Sequence, residues 1–282
     1  MTEKVWLITG ASRGFGRVWA EAALARGDKV AATARSAASV ADLAERYGDA
    51  VLPLALDVTD PDQVGRAVAR AHERFGRLDV VVNNAGYALV GAIEETSEAD
   101  VRAEFETNVF GALRVLQAVL PYLRAQGSGH ILGVSSVAGL VASPVIGFYH
   151  ASKWAVEALH ESLAHEVKGF GIKVTLIEPG AYATEFAGPS SLKLAAGIEA
   201  YAPLRAQIFA GAAHVEFGDP RATAEALFRI VDAETPPLRF FLGTEGLPVA
   251  RAAYAERLAT WEAWEAVSNA AQGQSTRHSF SA

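Results

Sequence analysis

VWLITGASRGFG, residues 5–16, reads as a strand that enters a glycine turn and leaves it as a helix. Val5 to Thr9 is a short apolar run, and a helical pattern follows from Arg17 to Arg26. Between them stand Gly10, Gly14 and Gly16, flanked by Ser12, Arg13 and Phe15. Glycines let a backbone approach a pyrophosphate closely, and a helix N-terminus offers it free N–H groups and the positive end of a dipole. The spacing is G-x-x-x-G-x-G, which departs from the G-x-G-x-x-G form of the dinucleotide fingerprint. By itself it allows either a nucleotide site or a plain tight turn.

The pattern repeats outward from this unit. Apolar runs at Lys29–Thr33, Ala50–Leu56, Leu78–Val82, Gly129–Ser135, Ile172–Ile177 and Leu238–Leu242 alternate with helical stretches. Asp60-Pro61 reads as the N-cap and first residue of a helix to Phe75, and Ser97-Glu98-Ala99-Asp100 as a second helix start. Short buried strands alternating with longer helices describe a parallel sheet covered on both faces. Ligands bind such sheets at the C-terminal strand ends. Asp57 with Val58, and Asn84-Ala85-Gly86, fall at such ends. After the second strand an acidic residue would select NAD, but Arg35 stands there, with Arg13 within reach of the same place. Two guanidiniums favour a 2′-phosphate and hence NADP(H), unless both are solvated surface arginines.

Composition narrows the class. The 282 residues are 51% apolar and 20% charged, enough for a sizeable core. A net charge of −7 makes nucleic acid a poor partner. There is no cysteine, so thiolate chemistry and disulfides are absent. No stretch approaches the ~20 apolar residues of a membrane helix, and a cytoplasmic protein with no membrane association is expected. Gln272–Ala282 reads as a disordered tail.

Ser136 to Lys153, SVAGLVASPVIGFYHASK, carries the chemistry. Tyr149 and Lys153, four residues apart on a helix, share a face. A lysine there would draw the phenol below its ordinary pKa of about 10 and make it a proton-transfer group. Ser136 ends the preceding strand.

TGASRGFG, NNAG and Ser136 with YHASK, in this order, resemble the short-chain dehydrogenase/reductase family in its compact branch. The resemblance covers about Val5 to Phe186 and implies a Rossmann-like α/β fold, a doubly wound, mostly parallel seven-stranded sheet with helices on both faces. It implies one dinucleotide-binding oxidoreductase domain over residues 1–282, with 246–282 as a C-terminal helix and tail. It assigns Tyr149 as general acid/base, Lys153 to the phenol and the nicotinamide ribose, Ser136 to the substrate oxygen, and Asn108 to a water behind Lys153. It assigns Gly10, Ser12, Arg13, Gly14, Phe15 and Gly16 to the pyrophosphate turn, and Asp57 and Val58 to adenine. Asn84, Ala85 and Gly86 go to the ribose side, and Pro179, Gly180, Tyr182 and Thr184 to the nicotinamide border. Arg13 and Arg35 resemble the pair of NADP-preferring members, with NAD(H) as the alternative cofactor. A homodimer or homotetramer is expected on the same ground.

Residues 186–217 follow no aligned motif and are expected to form a substrate-binding insertion or lid, whose apolar residues suit a small apolar carbonyl or alcohol. No metal site is expected, since His160 and His165 are five apart on one helix. Trp261 and Trp264 read as a core or interface stripe. The expected activity interconverts a ketone or aldehyde and an alcohol; the alternative is a non-catalytic NADP(H)-binding regulator on the same fold.

Overall fold

The computed structural model describes residues 3–188, 191–212 and 215–274. His214, His278 and the tail beyond Gln274 therefore lie outside the described residues, as do short pieces of the 186–217 segment.

In chain order the elements are β1 (Val5–Ile8), α1 (Gly14–Ala25), β2 (Lys29–Ala34), α2 (Ala41–Tyr47), β3 (Val51–Ala55), α3 (Pro61–Phe75), β4 (Val80–Asn83) and β5 (Ala88–Val90). There follow α4 (Glu98–Phe105), a π-helical turn (Glu106–Gly111), α5 (Ala112–Gln126), β6 (Gly129–Val134), α6 (Gly147–Val167) and β7 (Ile172–Pro179). β8 (Leu192–Leu194), α7 (Ala202–Ala212), α8 (Thr223–Asp232), β9 (Arg239–Leu242), α9 (Gly246–Ala263) and α10 (Glu265–Ala270) complete the chain.

Seven strands form one sheet in the order β3-β2-β1-β4-β6-β7-β9, and every pairing is parallel. Chain order reverses between β1 and β4. Their C-terminal ends, Thr9-Gly10 and Asn83-Asn84, therefore flank the crevice where such sheets bind ligands. Both faces are covered, which is why β1 is an unbroken apolar run. Trp6 and Ile8 face a core shared with Trp19, Leu43, Ile177 and Leu227, whereas Val5 and Leu7 face Leu123, Ile131 and Leu163 on the other side. The two buried indoles are satisfied: Trp6 Nε1 donates to Asp28 at 2.8 Å and Trp19 Nε1 to Thr223 at 2.8 Å.

The helix starts follow their cap chemistry. Asp60 accepts from Asp62 N and Gln63 N, with Pro61 leading α3, and Ser97 accepts from Asp100 N. α2 and the two-stranded β5-β8 sheet are additional to the sequence reading. Trp261 and Trp264, at 62% and 64% exposure, lie outside the core.

Two buried histidines, His130 and His160, both with pKa lowered by burial, contribute a pH dependence. His160 on α6 is fully buried and hydrogen-bonds Val156 O through Nδ1 at 2.8 Å. Burial lowers its pKa to about 4, against about 6.5 for an unfolded chain. Between those values the unfolded chain takes up the proton first, so stability is lost as pH falls from about 6.5 toward 4. His160→Gln should flatten that acid slope in melting temperature against pH while lowering the melting temperature at neutral pH. An unchanged slope contradicts the assignment.

Candidate active site

The glycine turn is built by close approach. Gly10 and Gly14 have φ of 68° and 54°, in the left-handed region that favours glycine. At Gly16 a Cβ would stand 2.4 Å from Gly10 O and 2.7 Å from Asn84 Nδ2. Asn84 braces the turn from β4, donating to Thr9 O at 2.9 Å and Gly10 O at 3.3 Å. The Thr9 hydroxyl accepts from Asn84 N and Ala85 N at 2.9 and 3.0 Å. The amide of Asn84 is therefore committed to the turn, a bracing role beyond the ribose contact expected of it.

The N-terminus of α1 has no side-chain cap of its own and no acidic residue in its first turn. Gly14 N instead donates to the Glu185 carboxylate at 3.0 Å. A carboxylate on this N–H shows that the turn suits an anion. Phe15 turns inward, stacking on Trp19 with its edge to Tyr182, and so joins turn, helix and β7 end through packing. Arg13 Nη2 donates to Ser191 Oγ at 2.8 Å, and Arg13 lines the same cavity as Arg35. Arg35 is exposed at the end of β2. Asp57 accepts the N–H and hydroxyl of Thr59 through Oδ1, at 2.9 and 2.8 Å, which fixes the β3 exit.

A cavity of about 740 Å³ runs from Arg13, Arg35 and Asp57 at one end to Ser136, Tyr149 and Lys153 at the other. Val58, Ala85, Gly86, Pro179, Gly180, Tyr182 and Thr184 also line it.

At the second end, Ser136 accepts from Ala138 N at 3.1 Å and donates to Pro179 O at 3.3 Å. Lys153 Nζ donates to Val134 O at 2.9 Å and sits 5.7 Å from the centroid of the Tyr149 ring. Burial pushes the Tyr149 phenol well above its ordinary range; Ser136 opposes the rise and the Glu104 charge adds to it. The lowering expected from Lys153 is not among the influences on the phenol in this geometry. Burial also lowers the Lys153 pKa to about 8, against the pull of Glu104 and Glu157.

Asn108 sits in the π-helical turn, 2% exposed. The extra residue of such a turn rotates the side chains that follow it, and here the amide is turned inward. Its Oδ1 accepts from Tyr87 N at 3.0 Å, and its Nδ2 donates to Tyr87 O at 2.8 Å and Ser152 Oγ at 3.0 Å. A Cβ at Gly86 would lie 3.0 Å from Asn108 Oδ1 and 3.7 Å from Lys153 Nζ, so Gly86 separates the two groups.

The described parts of the 186–217 segment lie at this end. β8 pairs with β5, Phe186 lies 5.7 Å from the Tyr149 ring between centroids, and Val215 and Phe217 line the cavity. Buried Glu95 anchors the segment by accepting from Ile198 N at 2.7 Å and pairing with Arg205. Two further buried groups frame the site. His150 ties the loop ahead of Tyr149, through Nδ1 to Ala138 O and Nε2 to Ser143. Glu104 is fully buried four residues before Asn108, and that spacing was the available signal.

Known proteins resemble this chain in sequence and fold. The short chain dehydrogenase family model matches residues 4–194. Oxidoreductase BOA17 of Botryotinia fuckeliana is 42% identical over 272 residues, covering 94% of this chain and 98% of its own. A 3-ketodihydrosphingosine reductase of Bacteroides thetaiotaomicron is 37% identical over 246 residues, covering 86% and 89%. The crystal structure of a short-chain dehydrogenase from Streptomyces avermitilis superposes with a TM-score of 0.89 at 41% identity, covering 96% and 98%. More distant structures, both 26% identical, are complexes with NAD, from Burkholderia phymatum (TM-score 0.79, covering 92% and 95%), and with NADP, from Burkholderia cenocepacia (0.75, 92% and 96%). Fold, cavity and matched sequence together make this chain an oxidoreductase of the short-chain dehydrogenase family.

Proposed function

We propose that the protein interconverts an apolar ketone or aldehyde and its alcohol, with NADP(H) as the preferred cofactor. The observation that carries the reading is the cavity itself, with an anion-suited glycine turn and Arg35 at one end and Ser136, Tyr149 and Lys153 at the other. The glycine turn suits a dinucleotide because its N–H at Gly14 already takes a carboxylate and Gly10, Ser12, Arg13 and Gly14 line the cavity. Bound reduced nicotinamide would supply the hydride. The chain's own residues do the rest. Ser136 and Tyr149 hold the carbonyl oxygen, Tyr149 donates its phenolic proton to the alkoxide as it forms, and the Lys153 ammonium stabilises the resulting phenolate. In alcohol oxidation the same groups act in reverse. Asn108 supports the proton path behind Lys153. Phe186, Val215 and Phe217 exclude water and favour an apolar substituent on the substrate. A relative named as a ketone reductase supports the carbonyl chemistry.

Arg35 tests the cofactor preference. A guanidinium–phosphate pair is worth about 1.5–3 kcal/mol, so Arg35→Asp should weaken NADPH binding by about tenfold or more. NADH affinity should change far less, as measured by fluorescence titration. Equal losses for both cofactors would refute the role of Arg35. A homodimer or homotetramer in the cytoplasm completes the proposal.

A further inference from the structure

The buried acid Glu104 has no part in the roles given so far. It is fully buried in α4, and its Oε1 accepts from Leu89 N at 2.9 Å. Its Oε2 is buried and has no hydrogen-bond partner among the described residues. Four residues on, Asn108 holds the backbone of Tyr87 through both its N–H and its carbonyl. Glu104 and Asn108 thus grip alternate residues of one extended segment from one side. On its other edge that segment carries β8, with Ala88 N donating to Ser191 O at 2.9 Å.

A buried carboxylate needs a counter-charge. Lys153, also buried, is the cation whose attraction Glu104 feels. The two do not form a contact ion pair, so they act through the low-dielectric interior, where charges interact strongly. The other groups facing Lys153 are accounted for. Glu157, one turn along α6, is paired with Arg239 at 3.0 Å. His160 is neutral, lowered to about 4 by burial. Tyr149 is uncharged while its phenol keeps its proton.

We propose that Glu104 is a positioning residue that keeps Lys153 cationic and Tyr149 protonated while clamping the β5 segment that carries the substrate cover. The proposal rests on the roles given to Tyr149 and Lys153 above. Burial raises the Glu104 carboxyl to about 7, opposed by Leu89 N–H and by Lys153. Near neutral pH the carboxylate is therefore substantially ionised, and its charge holds protons on both neighbours.

Glu104→Gln keeps an acceptor for Leu89 N and removes only the charge. In carbonyl reduction the alkaline limb of kcat/KM should move to lower pH by about one unit, the size expected for loss of a nearby opposite charge. Glu104→Asp, which keeps the charge, should leave that limb close to wild type. A uniform loss of rate with the limb unmoved in Glu104→Gln would reduce Glu104 to a structural clamp and overturn the proposal.

A second measurement needs no substrate. Thermal unfolding of Glu104→Gln, Lys153→Met and the double variant should be non-additive, the double variant melting higher than the two single shifts predict. Strict additivity overturns the proposal. Absence of carbonyl turnover in the wild type would instead count against the oxidoreductase reading and leave the thermal cycle to decide this one.

Discussion

Replacing Tyr149 by phenylalanine should lower turnover by about two to four orders of magnitude, the range general acid–base catalysis supplies. Cofactor affinity should hardly change. The substitution removes one oxygen from a side chain that is 8% exposed and leaves the ring in contact with Phe186. It also leaves Lys153 where it is, since the ammonium is held by Val134 O. What is lost is the proton that the forming alkoxide must receive. The glycine turn and Arg35, at the far end of the cavity, keep their geometry. Steady-state kinetics and dinucleotide titration on one preparation make the separation visible. A variant retaining most of its activity would remove Tyr149 from the mechanism.

The second large effect is expected at Gly16. An alanine Cβ there meets the carbonyl of Gly10, a backbone atom that cannot rotate away, and the amide of Asn84. Relief requires the turn to open, which breaks the Asn84 bonds to Thr9 O and Gly10 O and moves the N-terminus of α1. Overpacking of this kind costs about 1–3 kcal/mol, and each 1.4 kcal/mol lost from binding is about tenfold in affinity. Gly16→Ala should therefore weaken cofactor binding by about tenfold or more and lower the melting temperature. Gly65, whose added Cβ meets nothing within 4 Å, supplies the control: Gly65→Ala should leave affinity unchanged. Equal affinities for the two variants would contradict the role of the turn.

The sheet was legible because parallel strands covered on both faces appear as apolar runs, and all seven runs are strands of it. Their edges shift by a residue or two where hydrogen bonding outlasts hydrophobicity, as at β7, which continues through Glu178 to Pro179. β5 and β8 were not legible. Each has only three residues, and they pair because the chain brings them together from about a hundred positions apart. Asn108 was readable from its residue pattern only as a polar interruption of a helix, and its burial was not. Its amide has three tertiary bonds to Tyr87 and Ser152, and the π-helical turn rotates it toward them.

The spacing of Tyr149 and Lys153 correctly put both side chains on one face. It did not reveal how they titrate, because a pair taken from sequence carries no burial. Here burial governs both groups, and the nearby carboxylates belong to Glu104, on another helix, and Glu157. Arg13 was read as one of two cations for a 2′-phosphate; it lines the same cavity as Arg35, and its bond to Ser191, in the segment that the sequence left unaligned, was not legible. Trp261 and Trp264 were read as a core or interface stripe, and their exposure removes the core alternative.

Transfer of the label from reduced cofactor deuterated at C4 of the nicotinamide is the most direct measurement of the central claim. Wild-type protein incubated with labelled NADPH and a panel of apolar ketones and aldehydes should place deuterium on the carbinol carbon of the alcohol product, and Tyr149→Phe should place essentially none. Tight NADPH binding with no deuterium transferred to any member of the panel would contradict the account and point to a protein that binds the dinucleotide without using it.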